Sequence, residues 1–240
     1  MRFGIAVFPG TWSDRDCARA VEVAGQESVH LWHRDRDLRG ADCVILPGGF
    51  SYGDHLRAGA VARFAPLMES VLEFAARGGL VWGICNGFQI LCEAHLLPGA
   101  LTRNASLEFR CEMSWLRVET AATPFTSGCE AGDILAIPVS HGEGRYVADP
   151  GTLDRLDAED RVAFRYVAPD GSPVGDASPN GSLRDIAGIV SEGRNVLGMM
   201  PHPERAAEAL LGSADGLRLF RGVVEAVDRT GSFTGAGPHR

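Results

Sequence analysis

The sequence predicts an α/β fold in which a mostly parallel β-sheet is flanked by helices and extended by antiparallel strands. In the first hundred residues, short apolar runs alternate with stretches of helical periodicity, which is typical of parallel strands covered on both faces. From about 107 to 167 the chain carries short β-like runs separated by turns, which favours an antiparallel extension of the same domain. A length of 240 residues suits one α/β domain of generous size.

The first half of the chain supplies four predicted strands and three predicted helices. Pro9-Gly10 ends the first strand and Pro47-Gly48 ends the third, because such pairs interrupt regular structure. Ser13 is placed to cap the first helix, and Phe64 belongs to the apolar face of the second. The strands are predicted over 3–8, 29–32, 42–46 and 80–84, and the helices over about 14–24, 61–76 and 88–92.

The second half is predicted to add the antiparallel strands and a last amphipathic helix. The runs 186–190 and 196–200 form a strand pair closed by a turn at 193–195. We assign residues 1–229 to one domain and 230–240 to a flexible C-terminal tail. The remaining predicted elements are strands at 115–118, 134–137 and 162–167, a polar loop over 170–182 and a helix over about 215–227.

Composition excludes several classes of function. The formal net charge of −8 argues against binding to nucleic acid or to an anionic membrane. All 23 basic residues are arginine, so a lysine-bearing phosphate loop and Schiff-base chemistry are excluded. The six cysteines form no Cys-x-x-Cys and no zinc-finger spacing, so we predict no metal site. Without a recognisable signal peptide or membrane span, the expected location is the reducing cytoplasm.

One cysteine lies on a predicted sharp turn between a strand and a helix. The run Gly-Ile-Cys-Asn-Gly at 83–87 places Cys85 directly after an apolar strand and before a helix. Small residues flank nucleophiles on such turns because the strained backbone leaves no room for Cβ atoms. The start of a helix also favours thiolate over thiol. The sequence therefore predicts Cys85 as a nucleophile.

A histidine and a glutamate follow another predicted strand. Pro-His-Pro-Glu at 201–204 comes just after the apolar run 196–200, and α/β folds place functional side chains at strand ends. His202 and Glu204 are two residues apart, so both can lie on one side of an extended segment. A cysteine nucleophile needs a base and the base needs an orienting partner. We predict Cys85, His202 and Glu204 in these three roles.

A glycine-rich loop follows the third predicted strand. Consecutive glycines such as Gly48 and Gly49 allow backbone N–H groups to point at one spot, where they can stabilise an oxyanion. The N–H of Asn86, the residue after the nucleophile, is the other predicted donor. Taken singly, each of these motifs is most often a packed residue, a surface loop or a turn. Their coincidence at the ends of predicted parallel strands favours an active site.

These motifs resemble those of a known family over nearly the whole chain. Gly-Ile-Cys-Asn-Gly-Phe-Gln at 83–89, with Pro-His-Pro-Glu at 201–204, resembles the class I (triad) glutamine amidotransferases, which have a flavodoxin-like fold. The loop Gly-Gly-Phe-Ser-Tyr-Gly-Asp-His-Leu-Arg-Ala-Gly at 48–59 and the segment Ser-His-Gly-Glu-Gly-Arg-Tyr at 140–146 are similar to a narrower branch. That branch comprises the glutaminase subunits of phosphoribosylformylglycinamidine synthase, an enzyme of purine biosynthesis.

The resemblance implies a reaction and a set of contacts. Cys85 would attack the side-chain amide of L-glutamine and form a glutamyl thioester. His202, oriented by Glu204, would pass a proton to the departing ammonia and would then activate water. The N–H groups of Gly49 and Asn86 would hold the oxyanion. The implied glutamine contacts are Gly48, Phe50, Gln89, Ser140, His141 and Gly142.

The resemblance also implies partners. A large synthetase subunit would receive the ammonia and use ATP to convert formylglycinamide ribonucleotide to formylglycinamidine ribonucleotide, and a small accessory subunit would join them. ATP and Mg are expected on the synthetase, and no cofactor is expected in this chain. The segments 53–59 and 140–146 are candidate partner surfaces, and the isolated chain is expected to be a weak glutaminase.

Three alternatives stay open at the level of sequence. The chain could feed ammonia to a different synthetase, which the Gly-Phe-Ser-Tyr-Gly-Asp loop argues against. It could be a stand-alone cysteine hydrolase or peptidase, which would act without a partner and without a preference for glutamine. It could be an inactive scaffold, which would lose nothing when Cys85 is replaced by alanine.

Overall fold

The computed structural model describes residues 1–175 and 178–230 and contains a large mixed β-sheet. The strands of the described part of the chain are β1 (Arg2–Val7), β2 (Glu27–Trp32), β3 (Cys43–Leu46), β4 (Leu80–Ile84), β5 (Ala100–Thr102), β6 (Arg110–Val118), β7 (Ile134–His141), β8 (Arg145–Val147), β9 (Val162–Val167), β10 (Ile186–Val190) and β11 (Val196–Met199). Nine of them form one sheet in the order β2-β1-β3-β4-β11-β10-β9-β6-β7, and β5 pairs with β8 separately.

The sheet is parallel on one side and antiparallel on the other. Strands β2, β1, β3, β4 and β11 are parallel to one another. From β11 the sheet continues through β10, β9, β6 and β7 in antiparallel pairs. β3 and β4 are buried along their whole length, as parallel strands covered on both faces should be. β7 alternates between buried and half-buried residues. The predicted fold class is confirmed, and so is the predicted β10–β11 pair.

Five helices accompany the sheet in the described residues: α1 (Asp14–Val23), α2 (Pro66–Ala76), α3 (Asn86–Glu93), α4 (Pro150–Ala158) and α5 (Asp215–Thr230). α3 packs on β4 and β11, and α5 packs on β7 and α1. The aromatic core lies partly between α5 and the sheet, where the Trp82 ring is 4.8 Å from that of Phe220 and 5.9 Å from that of Phe125. Phe88 of α3 packs directly on Gly198 of β11, so the helix that follows Cys85 is seated on the strand that precedes His202.

The second predicted helix was too long at its start. α2 begins at Pro66 rather than at 61, and Ala65 before it is extended, with φ −66° and ψ 143°. A proline ring disfavours helical backbone in the residue before it. Ala62–Phe64 form a separate 3-10 turn, and Phe64, predicted on the apolar face, is 74% exposed.

One helix was missed between residues 107 and 167, where only strands and turns were predicted. α4 begins with Pro150 at its first turn, and the Asp149 side chain accepts a hydrogen bond from the Thr152 N–H at 3.0 Å. This is a common helix start, but the short β-like runs on either side obscured it.

The predicted cap of α1 is wrong, whereas the predicted C-terminal tail stays a prediction. Ser13 precedes α1 but makes no capping hydrogen bond; its hydroxyl instead accepts one from Arg205 at 3.0 Å. α5 extends to Thr230, the first residue of the predicted tail. The rest of that tail, 231–240, lies outside the described residues.

Candidate active site

Cys85 lies on a strained turn between β4 and α3. Its backbone has φ 52° and ψ −105°, a conformation that side chains rarely adopt and that is concentrated at functional sites. A Cβ on Gly83 would lie 2.7 Å from the Gly87 carbonyl oxygen, and one on Gly87 would collide with the Leu46 carbonyl oxygen. Glycine is therefore required on both sides of the turn, as predicted. The Cys85 N–H donates to the Met199 carbonyl at 2.8 Å, which ties the turn to the end of β11.

His202 and Glu204 follow β11 and form a buried pair. Nδ1 of His202 is 2.6 Å from Oε1 of Glu204, and the two side chains are 2% and 0% exposed. The His202 N–H donates to the Pro138 carbonyl at 2.8 Å, which fixes the segment against β7. Among the described residues, neither Nε2 of His202 nor Oε2 of Glu204 has a hydrogen-bond partner. The second nitrogen of the ring is thus left available to another group.

The charges around His202 favour the imidazolium form. Burial lowers its pKa, but the Glu204 carboxylate and the neighbouring Cys85 sulfur outweigh that effect and raise the pKa of His202 to about 10. The ring is then protonated at neutral pH, and its Nδ1–H donates to Glu204. The Cys85 sulfur lies 3.7 Å from the Ser140 carbonyl oxygen. The structure therefore brings Cys85, which follows β4, together with His202 and Glu204, which follow β11. Cys85 and His202 are 117 residues apart in the chain.

The glycine loop after β3 passes between the histidine and the loop that follows β1. A Cβ on Gly48 would lie 2.6 Å from Cε1 of His202, so Gly48 touches the imidazole. Gly49 has φ +152°, and a Cβ there would lie 2.6 Å from the Gly10 carbonyl oxygen. In the described part of the chain, the N–H groups of Gly49 and Asn86 have no hydrogen-bond partner. Both predicted oxyanion donors are therefore unengaged.

A cavity of about 530 Å³ opens over Cys85 and His202. Three of the predicted site residues, Gly48, Asn86 and Glu204, do not line this cavity. The predicted residues that line the cavity are Gly49, Phe50, Cys85, Gln89, Ser140, His141, Gly142 and His202. The lining residues that sequence reasoning missed are Trp12, Asp54, Phe109, Glu143 and Arg205.

A chain of side-chain amides supports one wall of the cavity. The buried Asn86 carboxamide accepts from the Ser51 N–H at 3.1 Å and donates to Oε1 of Gln89 at 2.8 Å. The Gln89 carboxamide donates in turn to the Glu143 carbonyl at 2.7 Å. Both side chains therefore connect the glycine loop, α3 and the segment after β7, in addition to any contact with a ligand.

A second buried asparagine also holds the segment after β7. Nδ2 of Asn104 donates to the His141 carbonyl at 2.9 Å, and its Oδ1 accepts from the Gly144 N–H at 2.9 Å. Burial, followed by the charge of His202, lowers the pKa of His141 to about 4. His141 is therefore a neutral wall residue at physiological pH rather than a second charge.

Three of the missed lining residues left a weak signal in the sequence. Asp54 belongs to the glycine loop already singled out, Glu143 directly follows Gly142, and Arg205 directly follows Glu204. Trp12 and Phe109 come from distant loops that only the folded chain brings to the cavity.

Other kinds of site find no support in the described residues. No three His, Cys, Asp or Glu side chains are grouped there so as to hold a metal ion. All six cysteines are free thiols. None of the helices in the described ranges has the length and apolar character needed to cross a bilayer.

Comparison with known proteins places the chain in a family. The sequence pattern of the CobB/CobQ-like glutamine amidotransferase domain matches residues 1–216, and the chain belongs to this family of glutamine amidotransferases. It is 58% identical over 224 residues to the phosphoribosylformylglycinamidine synthase subunit PurQ of Rubrobacter xylanophilus, covering 93% of this chain and 98% of the relative.

Two further relatives agree. The chain is 56% identical over 226 residues to the subunit of the same name from Moorella thermoacetica, covering 94% of this chain and 96% of the relative. It superposes on a chain in the structure of PurLQS from Thermotoga maritima with a TM-score of 0.83 and 42% identity, covering 94% of this chain and 98% of that one.

Proposed function

We propose that this chain is the glutaminase subunit of a phosphoribosylformylglycinamidine synthase. The observation that carries the proposal is the meeting of Cys85, on its strained turn, with the buried His202–Glu204 pair at one cavity. The chain's relatives over nearly their full length bear the name of this subunit. The proposed substrate is L-glutamine, and the products are glutamate and ammonia.

The reaction follows from the positions of these three side chains. The Cys85 thiolate attacks the carboxamide carbon of glutamine, and the carbonyl oxygen becomes an oxyanion. As the C–N bond breaks, the His202 imidazolium gives its proton to the leaving nitrogen, which departs as ammonia and leaves a glutamyl thioester on Cys85. The neutral imidazole then takes a proton from water, which attacks the thioester and releases glutamate and the thiolate. Glu204 holds the ring and stabilises its charged form.

The oxyanion is assigned to the backbone N–H groups of Gly49 and Asn86, which have no other partner among the residues that the structure describes. Removing one oxyanion donor typically costs about 3 kcal/mol of transition-state stabilisation. Gly48 contributes by allowing the imidazole to approach the glycine loop. Phe50, Gln89 and the segment Ser140, His141 and Gly142 are assigned to the walls that hold glutamine.

The proposed partner is the large synthetase subunit, together with a small accessory subunit. The PurLQS structure from Thermotoga maritima supports this assignment. ATP and Mg would be bound by the synthetase, and this chain would need no cofactor of its own. The contact surface would surround the cavity and include 53–59 and 140–146. The exposed rings of Trp12, Phe50 and Phe109 lie at the same opening.

A cytoplasmic location completes the proposal. The free thiols of all six cysteines support it, because reducing compartments keep thiols unpaired.

The test is glutamate release from glutamine by the chain alone and by the chain mixed with the synthetase, the accessory subunit, ATP and formylglycinamide ribonucleotide. We expect weak release alone, a strong increase in the mixture, and loss of release with Cys85→Ala. Glutamate release that is the same with and without the partners would point to a stand-alone hydrolase. Stimulation only by another synthetase would point to a different complex, and no effect of Cys85→Ala would point to a scaffold.

A further inference from the structure

Asp54 is a carboxylate of the cavity wall that the reaction described above does not use. It lines the same cavity as Cys85 and His202 and is half-buried. Among the described residues it forms no ion pair; its one side-chain contact is a long hydrogen bond, 3.4 Å, from Nδ2 of Asn86. A partly buried carboxylate without a cationic partner is costly unless a ligand supplies the charge.

The backbone holds this carboxylate in place. Tyr52 and Asp54 have φ values of 54° and 51°, and Gly53 between them has φ 71°. The Tyr52 N–H donates to the Pro9 carbonyl at 2.6 Å, and the Tyr52 hydroxyl is 2.6 Å from Nδ1 of His33. Left-handed conformations in non-glycine residues persist only where the surroundings enforce them, and they are concentrated at ligand sites.

The electrostatics of the cavity favour a cation at Asp54. Burial, followed by the charge of Glu143, raises the pKa of Asp54 to about 6. Asp54 therefore carries a charge at neutral pH that neither the solvent nor a protein cation fully compensates. The nearby Glu143 has a partner of its own, because its carboxylate lies 3.8 Å from the Arg103 guanidinium.

The cavity also carries a positive charge of its own. Arg205 lines it and is anchored to Ser13 at 3.0 Å and to Asp16 at 3.5 Å. A free amino acid has an ammonium and a carboxylate on its α-carbon. The Asp54 carboxylate, which has no cationic partner among the described residues, has the charge to receive the ammonium. The anchored Arg205 guanidinium has the charge to receive the carboxylate.

We propose that Asp54 binds the α-ammonium group of the substrate and so restricts the cavity to glutamine with a free amino group. This inference rests on the proposed function, since it assigns one end of the proposed substrate. Amides without that group, and glutamine whose amino group is acylated, would leave the Asp54 charge without a partner.

The test compares two amides in the assembled complex. Glutaramate has the carboxamide and the carboxylate of glutamine but no amino group. We expect the wild-type complex to prefer glutamine in kcat/KM by about tenfold or more, as fits the loss of a charged hydrogen bond. Asp54→Asn should raise the KM for glutamine by about the same factor, leave kcat largely unchanged, and bring the two amides close together.

The matched control is Asp228→Asn, which removes a carboxylate from the exposed face of α5 and should keep the wild-type preference. A purely structural role for Asp54 would lower turnover of both amides equally and preserve their ratio, which would overturn the inference. Equal kcat/KM for the two amides in the wild type would overturn it without any variant. If the wild-type complex fails to hydrolyse glutamine at all, the proposed function fails instead.

Discussion

Gly48 lies against the imidazole of His202 so closely that a β-carbon on the glycine would be 2.6 Å from Cε1 and 3.4 Å from Nδ1 of the ring. The first of these distances is shorter than real Cβ contacts allow. The histidine cannot retreat freely, because its Nδ1 is held by Glu204 and its backbone N–H by Pro138. The glycine loop after β3 and the segment after β11 are thus fitted to each other.

We therefore expect Gly48→Ala to lower kcat for glutamine by about 100-fold, because a displacement near 1 Å at a catalytic group costs about that much. Stability should fall by about 1–3 kcal/mol from overpacking. Steady-state kinetics and urea denaturation measure the two effects. Gly151→Ala is the control, since its Cβ would meet only side-chain atoms, Oδ1 of Asp149 at 3.3 Å and Nη1 of Arg155 at 3.9 Å. Wild-type kcat in Gly48→Ala would show that the contact is not needed.

Glu204→Gln should lower the pKa of His202, since burial then acts without the opposing carboxylate. NMR titration of the His202 ring protons measures this directly, and kcat should fall by about 100-fold or more. Because the pKa of His202 is higher in the folded protein than the ordinary 6.5, protonation of the ring stabilises the folded state. This stabilisation is complete below pH 6.5 and is lost as the pH rises through about 10.

The difference in Tm between the wild type and Glu204→Gln should accordingly be largest below pH 6.5 and shrink towards pH 10. Glu208→Gln is the control, because that carboxylate pairs with Arg19 on the surface. A Tm difference that stays constant with pH would mean that Glu204 does not govern the charge of His202.

Asn104→Ala should loosen the His141 wall of the cavity. It leaves the carbonyls of Glu108 and His141 and the N–H of Gly144 without their side-chain partner. We expect a loss of about 1–3 kcal/mol in the free energy of unfolding and a KM for glutamine raised severalfold. Urea denaturation and steady-state kinetics report on each.

Asn195→Ala provides the comparison for Asn104→Ala. Its Nδ2 also donates to two buried carbonyls, those of Ala75 and Gly79, at 2.8 and 2.9 Å. Asn195 does not line the catalytic cavity. The Asn195→Ala variant should lose a similar free energy of unfolding while its KM for glutamine stays unchanged. An equal change of KM in both variants would show that Asn104 has no special place in the site.

Trp12→Ala should weaken binding to the synthetase. The Trp12 ring is 67% exposed and lies 6.0 Å from that of Phe50 at the opening of the cavity. Exposed aromatic pairs often dominate the energy of an interface, so we expect a loss of about tenfold in affinity, measured by titration calorimetry. Leu210→Ala is the control, because Leu210 is 96% exposed and does not line the cavity. Equal effects of the two substitutions would contradict the assigned surface.

Much of the fold was predictable because its signals are local. Apolar runs bounded by Pro-Gly or Gly-Gly marked β1, β3 and β4 within a few residues, and the β10–β11 pair followed from two runs and a short turn. α4 was missed although Asp149 and Pro150 mark its start, since the strand-like runs around it outweighed a nine-residue helix. α2 began later than predicted because Pro66 acts on the residue before it, which helical periodicity does not detect.

The sequence by itself determined which residues are proposed to react, since Cys85, His202 and Glu204 stand in short motifs typical of that chemistry. Only the tertiary structure decided which other side chains share their cavity. The pairing of β4 with β11 brings Cys85 to Met199 and so to His202. Trp12, Asp54 and Phe109 reach the same cavity from separate segments of the chain. Such contacts join residues far apart in the chain, and they depend on the packing of the whole sheet rather than on any local pattern.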